Sequence, residues 1–229
     1  MTTLIQKIPA DKQAKRGWKV EIDGKSVDRV EKISITHPSF GELAYGLTPP
    51  GYDGWSFCEH GGGGAVIVPY CITRGRLFIG LVEQQRHNQG GKVLNVPRGF
   101  LSPGETHFQA AAREFTEETS LAVVPSSVTA LSGAPLNPNS AFFETAGEGD
   151  GVKCYAVNVD ESLLCAAASS GRLAFRTGVL KADAASKQAK LAEQILGCVF
   201  VPVADAARVG DMFTVAVVAR LAASLGRIG

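Results

Sequence analysis

Residues 99–121 read GFLSPGETHFQAAAREFTEETSL, and inside this stretch Pro103-Gly104, Thr106 and Gln109 mark the start of a helix. A Pro-Gly turn, a threonine able to cap, and a glutamine three residues later form the pattern of a capping box. The spacing predicts a helix from Thr106 to Glu118. At about 100° per residue, Glu114, Glu117 and Glu118 fall within an arc of roughly 100°. Phe108, Ala111, Ala112 and Phe115 gather on a neighbouring arc, giving an apolar side to bury. The expectation is an amphipathic helix whose acidic face lies at the edge of a packed surface.

Carboxylates at i, i+3 and i+4 repel one another by a few tenths of a kcal/mol per pair, a penalty that a divalent cation reverses. Magnesium suits such a face because it favours oxygen ligands, keeps several waters and bridges carboxylates to substrate phosphates. Arg113 can pair with Glu117 one turn on, or with Glu105, and fix a carboxylate rotamer. Taken alone, REFTEE reads more readily as a solvated helical face.

The wider register changes that balance. From Gly99 five residues lead to Glu105, seven more to Arg113-Glu114, and then follow Phe115, Glu117-Glu118 and Leu121. This resembles the Nudix box, G-x5-E-x7-R-E-U-x-E-E-x-G-U with U a bulky apolar residue, and departs from it only where Ser120 replaces the second glycine. Ser120 falls where a helix C-terminus often needs a left-handed residue, and a non-glycine there costs on the order of 1 kcal/mol. The departure concerns stability more than catalysis.

The resemblance implies an α/β fold, a Nudix-type α/β/α sandwich with a mixed sheet. It implies hydrolysis of a nucleoside diphosphate linked to another moiety, with magnesium or manganese as cofactor. Glu114, Glu117 and Glu118 are assigned to the metal with the carbonyl of Gly99, and Glu105 with Arg113 orients them. A diphosphate repels an incoming nucleophile, so charge must be neutralised and a water positioned. The general base is Glu117, or a carboxylate from later in the chain, Glu193 or one within 144–150.

Composition agrees with a compact enzyme: 229 residues with 45% hydrophobic content suit one domain, or one with a small appended subdomain. A net charge of +1 creates no global field for nucleic acid or membrane. Five scattered cysteines without a C-x-x-C pair suit reduced, buried thiols. No apolar run approaches about 18 residues, which points to a soluble cytoplasmic protein.

The first sixty residues differ from the rest. Trp18, Val20 and Ile22 alternate with polar residues, Asp23-Gly24 signals a hairpin, and Val30–Thr36, Phe40–Leu47 and Trp55–Cys58 read as strands. Residues 1–60 are expected to form a small antiparallel sheet, and 61–229 the catalytic domain. In Nudix enzymes that cleave ADP-ribose, a comparable sheet takes part in dimer formation, so the resemblance implies a homodimer. The run Gly61–Gly64 lacks the lysine of a P-loop and reads as a hinge or a close-packed strand entry.

Ala65–Ile72 and Leu77–Gln84 read as strands around a turn at Arg74-Gly75, and Val152–Val159 and Ile195–Val201 as further strands. Residues 161–190, rich in alanine, read as a helix and a basic loop that meets substrate or, more readily, as an ordinary solvated connection, and Asp211–Leu225 as a closing helix. Val82-Glu-Gln-Gln-Arg86 resembles the strand end that carries a substrate-facing arginine in ADP-ribose enzymes, making Arg86 a candidate for ribose or phosphate. Its alternative is a solvated loop residue. Arg98 is placed for a phosphate or for a salt bridge. Pro135 lies about where ADP-ribose enzymes carry a proline.

ADP-ribose or an ADP-sugar is therefore the expected substrate, with a nucleoside triphosphate or dinucleoside polyphosphate as the alternative. A non-catalytic ligand-binding regulator is the competing class. Such domains often lose box glutamates, whereas Glu105, Glu114, Glu117 and Glu118 are all present, and no helix-turn-helix or basic tail is visible.

Overall fold

The computed structural model describes residues 2–7, 18–22, 25–37, 41–48, 52–58, 63–86, 91–134, 151–167, 171–179 and 194–227. Five strands come first: β1 (Thr2–Lys7), β2 (Trp18–Ile22), β3 (Lys25–His37), β4 (Gly41–Thr48) and β5 (Tyr52–Cys58). They form one antiparallel sheet in the order β1-β3-β4-β5, with β2 also on β3. The thirteen residues of β3 take both partners because β2 pairs with its first half and β1 with its second. Strand β1 has no counterpart in the sequence reading.

The second sheet holds β6 (Gly64–Thr73), β7 (Arg76–Arg86), β8 (Gly91–Asn95), β9 (Arg98–Phe100), β10 (Val128–Ala130), β11 (Val152–Asn158), β12 (Leu164–Ala166), β13 (Leu173–Phe175) and β14 (Gln194–Pro202). Its order is β10-β11-β6-β7-β14-β13-β12, with β8 added on β7 and β9 on β6. The β6–β11 pair is parallel and the others are antiparallel, so the sheet is mixed. Among the described residues there are three helices: α1 (His107–Thr119), α2 (Val203–Ala206) and α3 (Met212–Ser224).

Strand β6 shows why this is a sandwich. Side chains alternate across a strand, and Ala65, Ile67 and Cys71 enter the core shared with Ala110, Ala111 and Phe115 of α1. Val66 and Val68 enter the opposite core, with Phe213, Val217 and Leu221 of α3. A sheet buried on both faces explains the near-continuous apolar run of this strand. The α/β/α sandwich with a mixed sheet is the architecture expected.

One element differs. Where the alanine-rich segment 161–190 is described, it begins with a 3-10 turn, Glu161–Leu163, and then pairs β12 with β13, in place of the helix that is one of its two readings. Here packing overrides alanine's helix propensity: Leu164 is buried, and Phe175 meets Phe200 edge-to-face with centroids 5.4 Å apart. Val123 and Val124 lead into a 3-10 turn at Pro125–Ser127. Pro135 and the hairpin signal Asp23-Gly24 lie outside the described residues. Cys71, Cys154, Cys165 and Cys198 are free thiols. No helix among the described residues is long and apolar enough to cross a membrane.

Candidate active site

Helix α1 is bounded by the groups its sequence predicts. The Thr106 side chain accepts from Gln109 N, the Gln109 side chain answers to the Thr106 backbone, and the helix begins at His107. At the other end Ser120 is left-handed, φ 63° and ψ 10°, and its N–H donates to Thr116 O at 3.0 Å. The expected C-terminal geometry is thus adopted without glycine.

The buried face of α1 is rotated from the one predicted. His107, Ala110, Ala111, Glu114, Phe115 and Glu118 are buried, whereas Phe108 is 37% exposed. The three carboxylates therefore do not share one environment. Glu114 and Glu118 are only 9% and 8% exposed, while the Glu117 side chain is 44% exposed. Apolar periodicity alone misplaced this face because polar partners on other elements make the acidic stripe buriable.

The principal partner is Arg113. Its guanidinium binds Glu105 in bidentate fashion, Nε to Oε1 at 2.9 Å and Nη2 to Oε2 at 3.0 Å. Nη1 donates to Glu114 Oε1 at 2.6 Å and to Glu117 Oε2 at 3.3 Å, and Nη2 donates to Phe100 O at 2.9 Å. Both pairings considered from sequence, with Glu105 and with Glu117, are present. Glu105 also accepts from Ser102 N at 2.9 Å, which ties the turn before the helix into the cluster. The hydrogen bond from Arg113 holds Glu105 below the usual carboxylate range, and the same bond pushes the Arg113 guanidinium up. Burial pushes Glu114 up, against the opposing charge of Arg113.

Gly99 explains its own identity. A Cβ built on it would overlap the Glu114 carboxylate, with Oε2 at 2.9 Å, so a bare Cα lets the carboxylate close on β9. The glycine run before β6 resolves as close-packed strand entry at Gly63 and Gly64: a Cβ on Gly64 would sit 2.7 Å from Gly99 O, and Gly64 N donates to Gly151 O at 3.1 Å. The same Gly151 carbonyl lies 3.1 Å from His107 Nε2, which pins the start of α1 to the start of β11.

Arg98, expected at a phosphate or in a salt bridge, is in the salt bridge. Its Nη1 contacts Asp211 Oδ1 at 2.6 Å and its guanidinium lies over Phe213, 4.9 Å from the ring centroid. Asp211 Oδ2 caps α3 by accepting from Thr214 N at 2.8 Å, and Thr214 Oγ1 accepts from Val96 N at 3.0 Å. The strap Val96–Gly99 is thus fastened to α3. Arg86 is the last residue of β7, paired with Gly91, but its side chain lies outside the described residues, as do Glu193 and residues 144–150.

Two site residues escaped the sequence reading. Gln84 and Asn95, each 2% exposed, connect β8 and β7 to Glu118. Gln84 Nε2 donates to Glu118 Oε1 at 3.1 Å, and Asn95 Nδ2 to Gln84 Oε1 at 3.0 Å. The available signal was a glutamine two residues after Val82, on the same buried face of a strand. Near Glu118 the Cys198 thiol is pushed up to about 12, by burial first and the Glu118 charge second, so it stays protonated. Among the described residues no three acidic, histidine or cysteine side chains converge as a ready-made ion cage; Arg113 sits among Glu105, Glu114 and Glu117.

Residues 63–164 match the family model of the NUDIX domain. A curated relative, putative nudix hydrolase 2 of Caenorhabditis elegans, is 43% identical over 56 residues, 24% of this chain and 25% of that protein. The match thus spans about a quarter of that relative. Among solved structures, an ADP compounds hydrolase is similar at 14% identity and TM-score 0.48, covering 86% of this chain and 94% of that one. The C. elegans Ap4A hydrolase binary complex is similar at 15% identity and TM-score 0.43, covering 72% and 99%.

Proposed function

We propose, from the match of residues 63–164 to the NUDIX domain model, that the chain hydrolyses a nucleoside diphosphate linked to another moiety. The substrate in this reading is ADP-ribose or an ADP-sugar, and the products are a nucleoside monophosphate and a sugar phosphate. The observation that carries it is the acidic helix face held by one arginine. Arg113 binds Glu105, Glu114 and Glu117 together, with Glu114 and Glu118 buried.

The donors fit magnesium or manganese. They are all hard oxygens, from Glu114, Glu117, Glu118 and the carbonyl of Gly99, and the buried Glu114 carboxylate, pushed up by desolvation, is the kind of anion a dication stabilises. A bound ion supplies positive charge against the diphosphate oxygens and activates water. Glu105 and Arg113 fix the rotamers of Glu114 and Glu117. Glu117, the most exposed of the three, serves as general base, with Glu193 the downstream alternative. Arg86 binds ribose or phosphate, while Arg98 acts as a structural clamp to Asp211. Residues 1–60 form the dimerisation unit of a cytoplasmic homodimer, and 61–229 the catalytic unit.

The test is product chromatography with magnesium over ADP-ribose, ADP-glucose, diadenosine polyphosphates, coenzyme A and nucleoside triphosphates. Fastest turnover of ADP-ribose or ADP-glucose is expected. Preference for a diadenosine polyphosphate or a triphosphate reassigns the substrate, and binding without turnover makes the domain a ligand sensor.

A further inference from the structure

Two chemically different side chains, an arginine and an amide, bind box carboxylates. A cation, Arg113, binds Glu105, Glu114 and Glu117. A neutral amide, Gln84, donates to Glu118 Oε1 and in turn accepts from Asn95. The two amides come from adjacent strands: Asn95 is in register with Val82, one diagonal step from Gln84.

The polarity of this relay is fixed by chemistry. A carboxylate offers only acceptors, so Gln84 must turn its NH2 toward Glu118. That places its carbonyl toward Asn95, which must answer with its own NH2. The remaining oxygen of Asn95, Oδ1, is buried with no hydrogen-bond partner among the described residues. A buried acceptor without a donor costs stability, and apolar residues at positions 84 and 95 would remove that cost. The pair is retained against packing, and Gln84 directs its NH2 to Glu118.

We infer that Gln84 and Asn95 are positioning residues that hold the Glu118 carboxylate in its ion-binding rotamer through a neutral donor. The inference rests on the metal-dependent reading above. A cationic partner would compete with a dication for the carboxylate, whereas an amide orients it and leaves its charge in place. Arg113 organises the solvent side of the cluster, and the amide relay organises its buried side. Because β8 carries Asn95 and leads directly into the strap ending at Gly99, the relay also links Glu118 to the segment that supplies the box glycine.

The experiment is Mn2+ binding by paramagnetic resonance, without substrate, on the full chain. Gln84→Leu removes the donor. Asn95→Asp keeps the shape but offers only acceptors, which forces Gln84 to turn its NH2 away and present its carbonyl to Glu118. Both variants are expected to bind Mn2+ about tenfold more weakly. Their turnover should recover when Mg2+ is raised by a similar factor, a rescue that general structural damage would not show. Should Gln84→Leu fail to fold, the near-isosteric Asn95→Asp carries the test. Wild-type Mn2+ affinity in folded Asn95→Asp overturns the inference alone, and a wild-type chain that binds no Mn2+ overturns it together with the metal reading.

Discussion

Arg113 and Glu105, eight residues apart, form a two-point pair in which Nε and Nη2 meet the two carboxylate oxygens at 2.9 and 3.0 Å. The remaining nitrogen, Nη1, reaches Glu114 and Glu117. A planar fork is needed for this division of labour, and a lysine has none. Arg113→Lys is therefore expected to lower kcat/KM by about 10- to 100-fold, with the fold preserved in circular dichroism. Near wild-type kinetics would show that charge alone suffices.

Gly99→Ala should be disproportionately harmful. The new Cβ overlaps the Glu114 carboxylate, and neither the strand backbone nor the clamped glutamate can yield freely. Urea unfolding should show a loss of about 1–3 kcal/mol, accompanied by weaker metal binding.

Ser120→Gly tests the one departure from the box. Ser120 holds φ 63°, a conformation that glycine adopts without a Cβ penalty. Stability should rise by up to about 1 kcal/mol, or roughly 2–4 °C in Tm for a chain of this size. Unchanged turnover alongside the gain would place Ser120 outside catalysis.

Glu105 and Glu114 should respond to pH with opposite signs in metal-free protein. Glu105 is held low by Arg113, so its contribution is present above the ordinary glutamate value and is lost as acid carries pH down through its folded value. Glu114 is pushed up by burial, so the folded state binds that proton more tightly. Its stability contribution falls as pH rises from the ordinary glutamate value through the raised one. Urea titrations between about pH 3 and 7 should show Glu105→Gln weakening the acid-side loss and Glu114→Gln flattening the decline on the neutral side. Identical pH profiles for the two variants would contradict the assigned environments.

How far the sequence reaches into this site depends on distance along the chain. The caps of α1 were legible because Thr106, Gln109 and Ser120 act on their own backbone, and the Arg113 pairs were legible because a short spacing creates them. The rotation of the buried face was not, since it depends on Gln84 and the strands beneath. Arg98 was ambiguous because its partner, Asp211, lies on the last helix. The hairpin β12–β13 was missed because alanine content speaks for helix while Leu164 and Phe175 are claimed by the core.

Asp211→Ala probes that long-range clamp. It removes both the cap on Thr214 N and the partner of Arg98, at an expected cost of about 1–2 kcal/mol for the cap alone. KM should not improve. A lower KM would mean that Arg98, once released, serves the substrate.

The central claim is that α1 supplies the ion-binding carboxylates of a diphosphate hydrolase. Mg2+-dependent AMP release from ADP-ribose by wild-type protein and by Glu118→Gln, at matched Tm, measures it most directly. The account predicts activity in the wild type and a loss on the order of 10²-fold or more in the variant. Equal metal-dependent rates in the two proteins would contradict it.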